Sequence, residues 1–162
     1  MNRIDRDELS SILDRTKISN RLKQSLRFVP EEIASWEDLD FIAVANKSGS
    51  EGVILAPLTT FFVVPFSIQK RKPDSKGRIE AVICDFCKTW QRGSNSARIS
   101  FTKERSRVSF LCCADLLCSL HVRDITKEST LSRTQLRENI SKEQRINRLR
   151  IALEDTFASL KD

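Results

Sequence analysis

The chain has 162 residues and a formal net charge of +6, and it contains five cysteines but a single histidine. This length suits one domain, or one domain with a small appended part, that can bury a core without disulfide bonds. No apolar run is long enough to span a membrane and the charged N-terminus lacks the apolar segment of a signal peptide, so we expect a cytoplasmic protein without a membrane partner.

The N-terminal half changes from a helical to a strand-like hydrophobic period. Early apolar residues recur at steps of three or four, and Trp36, in the helical turn that follows, is expected to anchor the core. Apolar runs on either side of a Gly/Ser/Asn-rich turn then predict a hairpin. The predicted elements, in chain order, are helices over residues 5–15 and 19–27 and strands over residues 41–45, 53–55 and 61–68.

The C-terminal half predicts a second hairpin between cysteine-bearing segments, and it ends in the clearest helix of the chain. Ser141 and Gln144 have the spacing of a capping box, and apolar residues then recur at steps of three or four. A polar linker precedes this helix. The predicted elements are strands over residues 79–83, 97–101 and 108–111, helices over residues 114–122 and 141–160, and a linker over residues 124–139.

Four cysteines form two close pairs in this half. Two residues separate Cys84 from Cys87, four separate Cys113 from Cys118, and 25 residues lie between the pairs. Zinc prefers four soft ligands at tetrahedral corners, and clustered cysteines in a reducing compartment indicate a metal site more often than disulfides. The spacing therefore predicts a structural zinc ion bound by these four thiolates.

The wider second pair needs a change of structure between its members. On a continuous helix, a step of five residues would separate the side chains of Cys113 and Cys118. We therefore expect Cys113 to end the preceding strand, and Asp115 to cap a helix that carries Cys118.

Cys112 is an alternative to Cys113 as a zinc ligand, although strand neighbours point to opposite faces and only one can reach the metal. His121 is a further alternative ligand, but we expect it at the surface. A knuckle, a hairpin and a helix-borne ligand together describe a treble-clef-like site.

Charge and the lack of catalytic motifs favour a binding function. Residues 69–107 hold eleven Lys or Arg and four Asp or Glu, a net charge of +7, which leaves −1 for the rest of the chain. Such a stretch implies an acidic partner, either protein or nucleic acid. The chain has no Gly-rich phosphate loop, and four cysteines complete a closed zinc site without an open position for water. We therefore do not expect an enzyme.

Several segments resemble a known family. They are the string Cys84-Asp85-Phe86-Cys87, residues 113–123 (CADLLCSLHVR), the helix over residues 141–160 and, more loosely, residues 36–41 (WEDLDF). Together they are similar to the FBP family, the bacterial elongation-factor-G-binding proteins related to the FusB-type fusidic acid resistance proteins. The resemblance spans nearly the whole chain, and residues 113–123 are its most specific part.

The resemblance implies a zinc-bound, treble-clef-like module that binds elongation factor G. In the resistance members, this binding helps to free the factor when fusidic acid has trapped it on the ribosome. The chain departs from those members because it is too short for their full N-terminal helical bundle, and because four cysteines stand where they use a mixed Cys/His ligand set.

We expect an α+β protein, monomeric, in which N- and C-terminal helices flank an antiparallel sheet that carries the zinc module. Residues 1–78 would hold the N-terminal helices and first strands, and residues 79–162 the zinc module with the last helix, packed as one unit. The expected function is binding of elongation factor G, with modulation of its release from the ribosome. The alternative is a zinc-containing protein that binds RNA or the ribosome. The residues expected to contact the partner are Trp90, Arg92, Lys103, Arg105, Arg107 and Arg123.

Overall fold

The structure, a computed structural model, describes residues 1–91, 93–103, 106–126 and 139–160. It divides the chain into two compact units, Met1–Ser67 and Ile68–Asp162. Most of the predicted linker, residues 127–138, lies outside the described part. Among the helices of the described part, none has both the length and the apolarity that crossing a membrane requires.

The first unit begins with the two predicted helices. Helix α1 (Arg6–Asp14) has Asp5 as its N-cap, and the Asp5 carboxylate accepts a hydrogen bond from the Glu8 amide at 2.8 Å. Helix α2 (Asn20–Ser25) is shorter than predicted and ends well before Pro30. Both helices are confirmed, although α2 has no buried residue of its own.

An antiparallel meander follows the helices. Strand β1 (Ile42–Ala45) pairs with β2 (Glu51–Pro57), and β2 pairs with β3 (Phe61–Lys70), which runs past the end of this unit. The centre of β2 is fully buried at Val53, Ile54, Leu55 and Ala56. These aliphatic residues lie at the centre of the core, which also includes Phe62 and Phe66 of β3.

Trp36 is not the core anchor that the sequence suggested. Its side chain is only half-buried. It meets the ring of Phe28 edge to face, with 6.5 Å between the ring centroids. The indole therefore packs on Phe28 and stays partly exposed, whereas the buried positions of the meander are filled by aliphatic and phenylalanine side chains.

Among its described residues, the second unit has two antiparallel hairpins of very different length. Strands β4 (Val82–Ile83) and β5 (Trp90–Gln91) form a two-residue ribbon, much shorter than the strand predicted over residues 79–83. Strands β6 (Ser96–Lys103) and β7 (Ser106–Cys113) form the predicted hairpin, with Ser96 opposite Cys113 at one end and Lys103 opposite Ser106 at the other.

Two helices complete the described part of this unit. Helix α3 (Cys118–Val122) starts four residues later than predicted, whereas α4 (Lys142–Ser159) has the predicted capping box. The α4 residues Leu149, Leu153 and Phe157 are buried, and the Phe157 ring meets Phe101 of β6 edge to face at a centroid distance of 5.8 Å. The packing of α4 on the sheet is therefore confirmed, and so is the α+β class with its antiparallel sheet.

Candidate metal centre

The first cysteine pair lies on a tight knuckle between β4 and β5. The Lys88 amide donates to the Cys84 carbonyl at 2.9 Å, and the Cys84 amide donates to the Thr89 carbonyl at 3.0 Å. Lys88 has a φ of 56°, in the left-handed region that usually favours glycine. This turn brings the thiols of Cys84 and Cys87 to the same side of the chain.

A side chain and a backbone amide attach the knuckle to β7. The Asp85 amide donates to the Leu111 carbonyl at 2.8 Å, and the Leu111 amide donates to the Asp85 carboxylate at 2.7 Å. Since Leu111 is two residues before Cys113, this pair of bonds holds the knuckle beside the strand end that carries the second cysteine pair.

The second pair is presented by a strand, a turn and a helix in succession. Cys113 is the last residue of β7 and Cys118 is the first of α3. Between them the Leu116 amide donates to the Cys113 carbonyl at 3.1 Å, and Leu116 adopts a φ of 54°. The left-handed residue reverses the chain, so that both thiols face the knuckle.

The four sulfurs have the separations that a tetrahedral zinc site requires. All four side chains are buried, and their sulfur atoms lie within 4.8 Å of one another. Sγ–Sγ distances are 3.5 Å for Cys87–Cys113, 3.7 Å for Cys84–Cys118 and 3.8 Å for Cys113–Cys118. A tetrahedron with Zn–S bonds of about 2.3 Å has edges of about 3.8 Å. Three of the six separations are therefore close to those of a tetrahedral site, and the residues present fit a Zn²⁺ ion.

The electrostatics of the cluster also favour a bound cation. Hydrogen bonds from Cys113, Cys118 and Cys87 lower the pKa of Cys84. Hydrogen bonding with Cys113 and Cys84, together with burial, raises the pKa of Cys118. The cluster therefore favours the thiolate form of Cys84 and disfavours that of Cys118. All four thiols can be ionised together only around a positive ion.

Cys112 lies outside this cluster. It is buried opposite Ala97 in the hairpin, and its neighbour Cys113 points to the other face because side chains alternate along a strand. Burial, and then the nearby Cys84, raise the pKa of Cys112 far above its ordinary value. Its thiol therefore behaves as a small apolar group of the core.

A chain of polar side chains connects the two cysteine pairs behind the sulfurs. The Thr89 hydroxyl lies 2.8 Å from Cys87 Sγ and accepts from Gln91 Nε2 at 2.7 Å, which leaves its hydrogen for the sulfur. Asn95 Nδ2 donates both to Gln91 Oε1 and to Asp115 Oδ2, each at 2.8 Å. Gln91 is fully buried, so water cannot replace its hydrogen bonds. These bonds therefore constrain the positions of the segments that carry the cysteines.

His121 is the last residue of this hydrogen-bonded series, next to the second cysteine pair. Its Nε2 lies 3.2 Å from Asp115 Oδ1, which also accepts from the Leu117 amide at 2.9 Å. Burial alone would raise the pKa of Asp115, but hydrogen bonds from His121, Leu117 and Asn95 lower it.

The expectations for His121 and Asp115 need correction. The His121 ring is 1% exposed rather than at the surface. Asp115 does not cap α3 as predicted, because Leu117 occupies the N-cap position. His121, Asp115 and Cys113 also lie close enough to hold an ion, but this group shares Cys113 with the four thiols. We interpret it as an outer layer of the same site.

The residues predicted to contact a partner are spread over the second unit. Trp90 on β5 is 43% exposed, and Lys103 and Arg107 lie at the tip of the β6–β7 hairpin. Arg123 is half-buried and donates to the Ser119 carbonyl at 2.9 Å. The remaining two, Arg92 and Arg105, lie outside the described residues.

These residues do not converge on the cysteines. Six residue steps separate Arg107 from Cys113 along β7, which corresponds to about 20 Å in an extended strand. Of the four that the structure describes, Trp90 is the one beside the knuckle. Its cross-strand partner is Ile83, which is 45% exposed, and sequence reasoning did not single this residue out. Neighbouring residues of a strand face opposite sides, so an inward-facing Val82 implies an outward-facing Ile83. This alternation was the signal in the sequence that could have identified Ile83.

Comparison with known families agrees with this geometry. The FBP C-terminal treble-clef zinc-finger family matches residues 16–160, well over half of the chain. No curated protein and no solved structure matches the chain. The chain therefore belongs to the FBP C-terminal treble-clef zinc-finger family, and the expected structural zinc is supported both by the family and by the four buried thiols.

Proposed function

We propose that this member of the FBP C-terminal treble-clef zinc-finger family binds elongation factor G through its zinc module and modulates release of the factor from the ribosome. Cys84, Cys87, Cys113 and Cys118 would hold the zinc ion, whose role is to fix the shape of the module. The closed ligand set leaves no coordination position for substrate, so the proposed role is non-enzymatic. Unpaired, clustered thiols suit the reducing bacterial cytoplasm.

An exposed apolar pair on the knuckle ribbon carries this proposal. Ile83 and Trp90 face each other across β4 and β5 and are 45% and 43% exposed. Tryptophan is enriched among the residues that dominate protein–protein binding energy. The pair sits directly beside Cys84, so zinc binding would hold it in place and limit the entropy lost on association.

Charge supports the choice of an acidic protein partner. Lys103 and Arg107 at the hairpin tip belong to the stretch of net charge +7, and neither forms an ion pair within the described residues. Cations at some distance from an apolar contact mainly accelerate association and add salt dependence, whereas the buried anchor sets the lifetime of the complex.

Titration calorimetry of zinc-loaded protein with purified elongation factor G tests the proposal. The wild-type chain is expected to form a one-to-one complex, and Trp90→Ala is expected to weaken it by about 30-fold or more if the indole is an interface anchor. Ile151→Ala is the matched control, because Ile151 is an apolar residue of α4 that is 52% exposed. Absence of binding by zinc-loaded wild type, or equal losses for both variants, would contradict the proposal.

A further inference from the structure

A strongly basic segment precedes the knuckle ribbon and is separate from the apolar pair. We define the basic loop as residues 70–78, from the last residue of β3 toward β4. It contains one acidic residue, Asp74, and its only apolar side chain is that of Pro73. Its five cations are Lys70, Arg71, Lys72, Lys76 and Arg78.

The acidic residue of the loop is used by the loop backbone. Asp74 Oδ1 accepts from the amides of Lys76 and Arg78, both at 2.8 Å, and the Asp74 amide donates to the Arg78 carbonyl at 2.8 Å. Gly77, with a φ of 72°, permits the turn. The carboxylate thus fixes the conformation of the loop, and this prior ordering lowers the entropic cost of binding a ligand.

Arg71 anchors the start of the loop. Its amide donates to the Ser96 carbonyl at 3.2 Å, and its Nη1 donates to the Glu80 carbonyl at 3.0 Å. In the described part of the chain, none of the five loop cations forms an ion pair, whereas Arg145 elsewhere contacts the Asp124 carboxylate at 2.6 Å. The loop backbone and the Arg71 side chain are therefore fixed, while the five cations have no ion-pair partner in the described part of the chain.

We propose that the basic loop binds the phosphate backbone of single-stranded RNA, independently of the binding of elongation factor G. Protein interfaces of useful affinity centre on apolar or aromatic anchors, and this loop offers none. Phosphate contacts need only positioned cations and hydrogen-bond donors, which is what the loop supplies. The chemistry therefore favours RNA over an acidic protein at this surface and predicts binding that does not depend on base sequence.

The salt dependence of binding measures the number of phosphates contacted. For single strands, the slope of log K against log salt changes by about 0.7 for each phosphate neutralised. Replacing four of the cations by neutral residues should therefore reduce the magnitude of the slope by about 3. Arg71 is kept in this variant, because its guanidinium bonds to the backbone and its loss would disturb the loop itself.

Fluorescence anisotropy of labelled oligouridine with the full, zinc-loaded chain tests the proposal across a salt series. The loop variant combines Lys70→Gln, Lys72→Gln, Lys76→Gln and Arg78→Gln. The control variant makes the same change in net charge at four exposed cations of the first unit, which have no ion pair in the described structure. These are Arg15→Gln, Lys17→Gln, Arg21→Gln and Lys47→Gln.

The proposal predicts that the loop variant loses both affinity and most of the salt slope, while the control variant retains them. It is overturned if wild type does not bind oligouridine at low salt, or if both variants lose affinity equally, which would indicate a net-charge effect. It is also overturned if polyglutamate displaces labelled oligouridine from the loop of wild type as effectively as unlabelled oligouridine does. Calorimetry with elongation factor G should show that the loop variant still forms the complex, with no larger loss of affinity than the control variant of equal net charge, so the two proposals fail separately.

Discussion

Truncation of Phe157 to alanine tests whether α4 is an integral part of the second unit. The Phe157 ring is fully buried, and it meets Phe101 of β6 edge to face, with an interplanar angle of 83°. Removing it deletes a large apolar surface, leaves a cavity between helix and hairpin and abolishes an aromatic pair. No polar group of the side chain is lost, so the effect reports on packing alone.

The expected loss for Phe157→Ala is about 3–5 kcal/mol of unfolding free energy, the range for a fully enclosed aromatic ring. With a urea m-value of about 2 kcal/mol/M, the midpoint should fall by about 1.5–2.5 M. Equilibrium urea unfolding of zinc-loaded protein, followed by circular dichroism, measures this shift. The m-value should stay the same, because the variant buries nearly the same total surface.

Ile151→Ala on the same helix is the control for helix propensity. Ile151 is more than half exposed, so its truncation should change the unfolding free energy by less than about 0.5 kcal/mol. If Phe157→Ala shifted the midpoint no more than Ile151→Ala, α4 would be a detachable tail, and the packing argument would be refuted.

Three further predictions concern the polar chain, the backbone and the charged tip. Asn95→Ala should weaken zinc binding about 10–100-fold in a chelator competition assay, because it removes the link between the two ligand-bearing segments; unchanged affinity would show that the link is incidental. Gly93→Ala should lower the unfolding free energy by about 1–3 kcal/mol, measured by urea unfolding, because the new Cβ would collide with the backbone carbonyl of Ile79. Lys103→Glu with Arg107→Glu should slow association with elongation factor G and flatten its salt dependence in stopped-flow measurements, with little change in the dissociation rate; an altered dissociation rate instead would place these residues inside the contact.

Much of the fold could be predicted because local signals agreed with tertiary packing. The capping box at Ser141, the step of three or four residues to Phe157 and the turn between the first strands each correspond to an observed element. The cysteine spacing likewise predicted that a strand end and a helix start would be needed to bring Cys113 and Cys118 together, and the structure has this arrangement.

The details of the site depended on contacts between residues distant in sequence. The bond of Asn95 to Asp115 spans 20 positions, and that of Asp85 to Leu111 spans 26, so no local pattern could indicate either. No local pattern indicated that the His121 ring would be buried and would contact Asp115.

Local signals also misjudged one tryptophan and one helix start. Trp36 was expected to anchor the core but is half-buried, whereas Trp90 was expected at the surface and is 43% exposed. Helix α3 starts late because the turn after Cys113 has to reverse the chain before a helix can begin.

Metal analysis of purified, reduced protein tests the zinc site itself, on which every proposed surface of the zinc module depends. About one zinc per chain is expected, retained by Cys112→Ser and lost or greatly reduced in Cys113→Ser. Both serine variants change a buried thiol on neighbouring positions of β7, so they are matched for the cost of the substitution. A zinc content near zero in wild type, or loss of zinc from Cys112→Ser with retention in Cys113→Ser, would contradict the account.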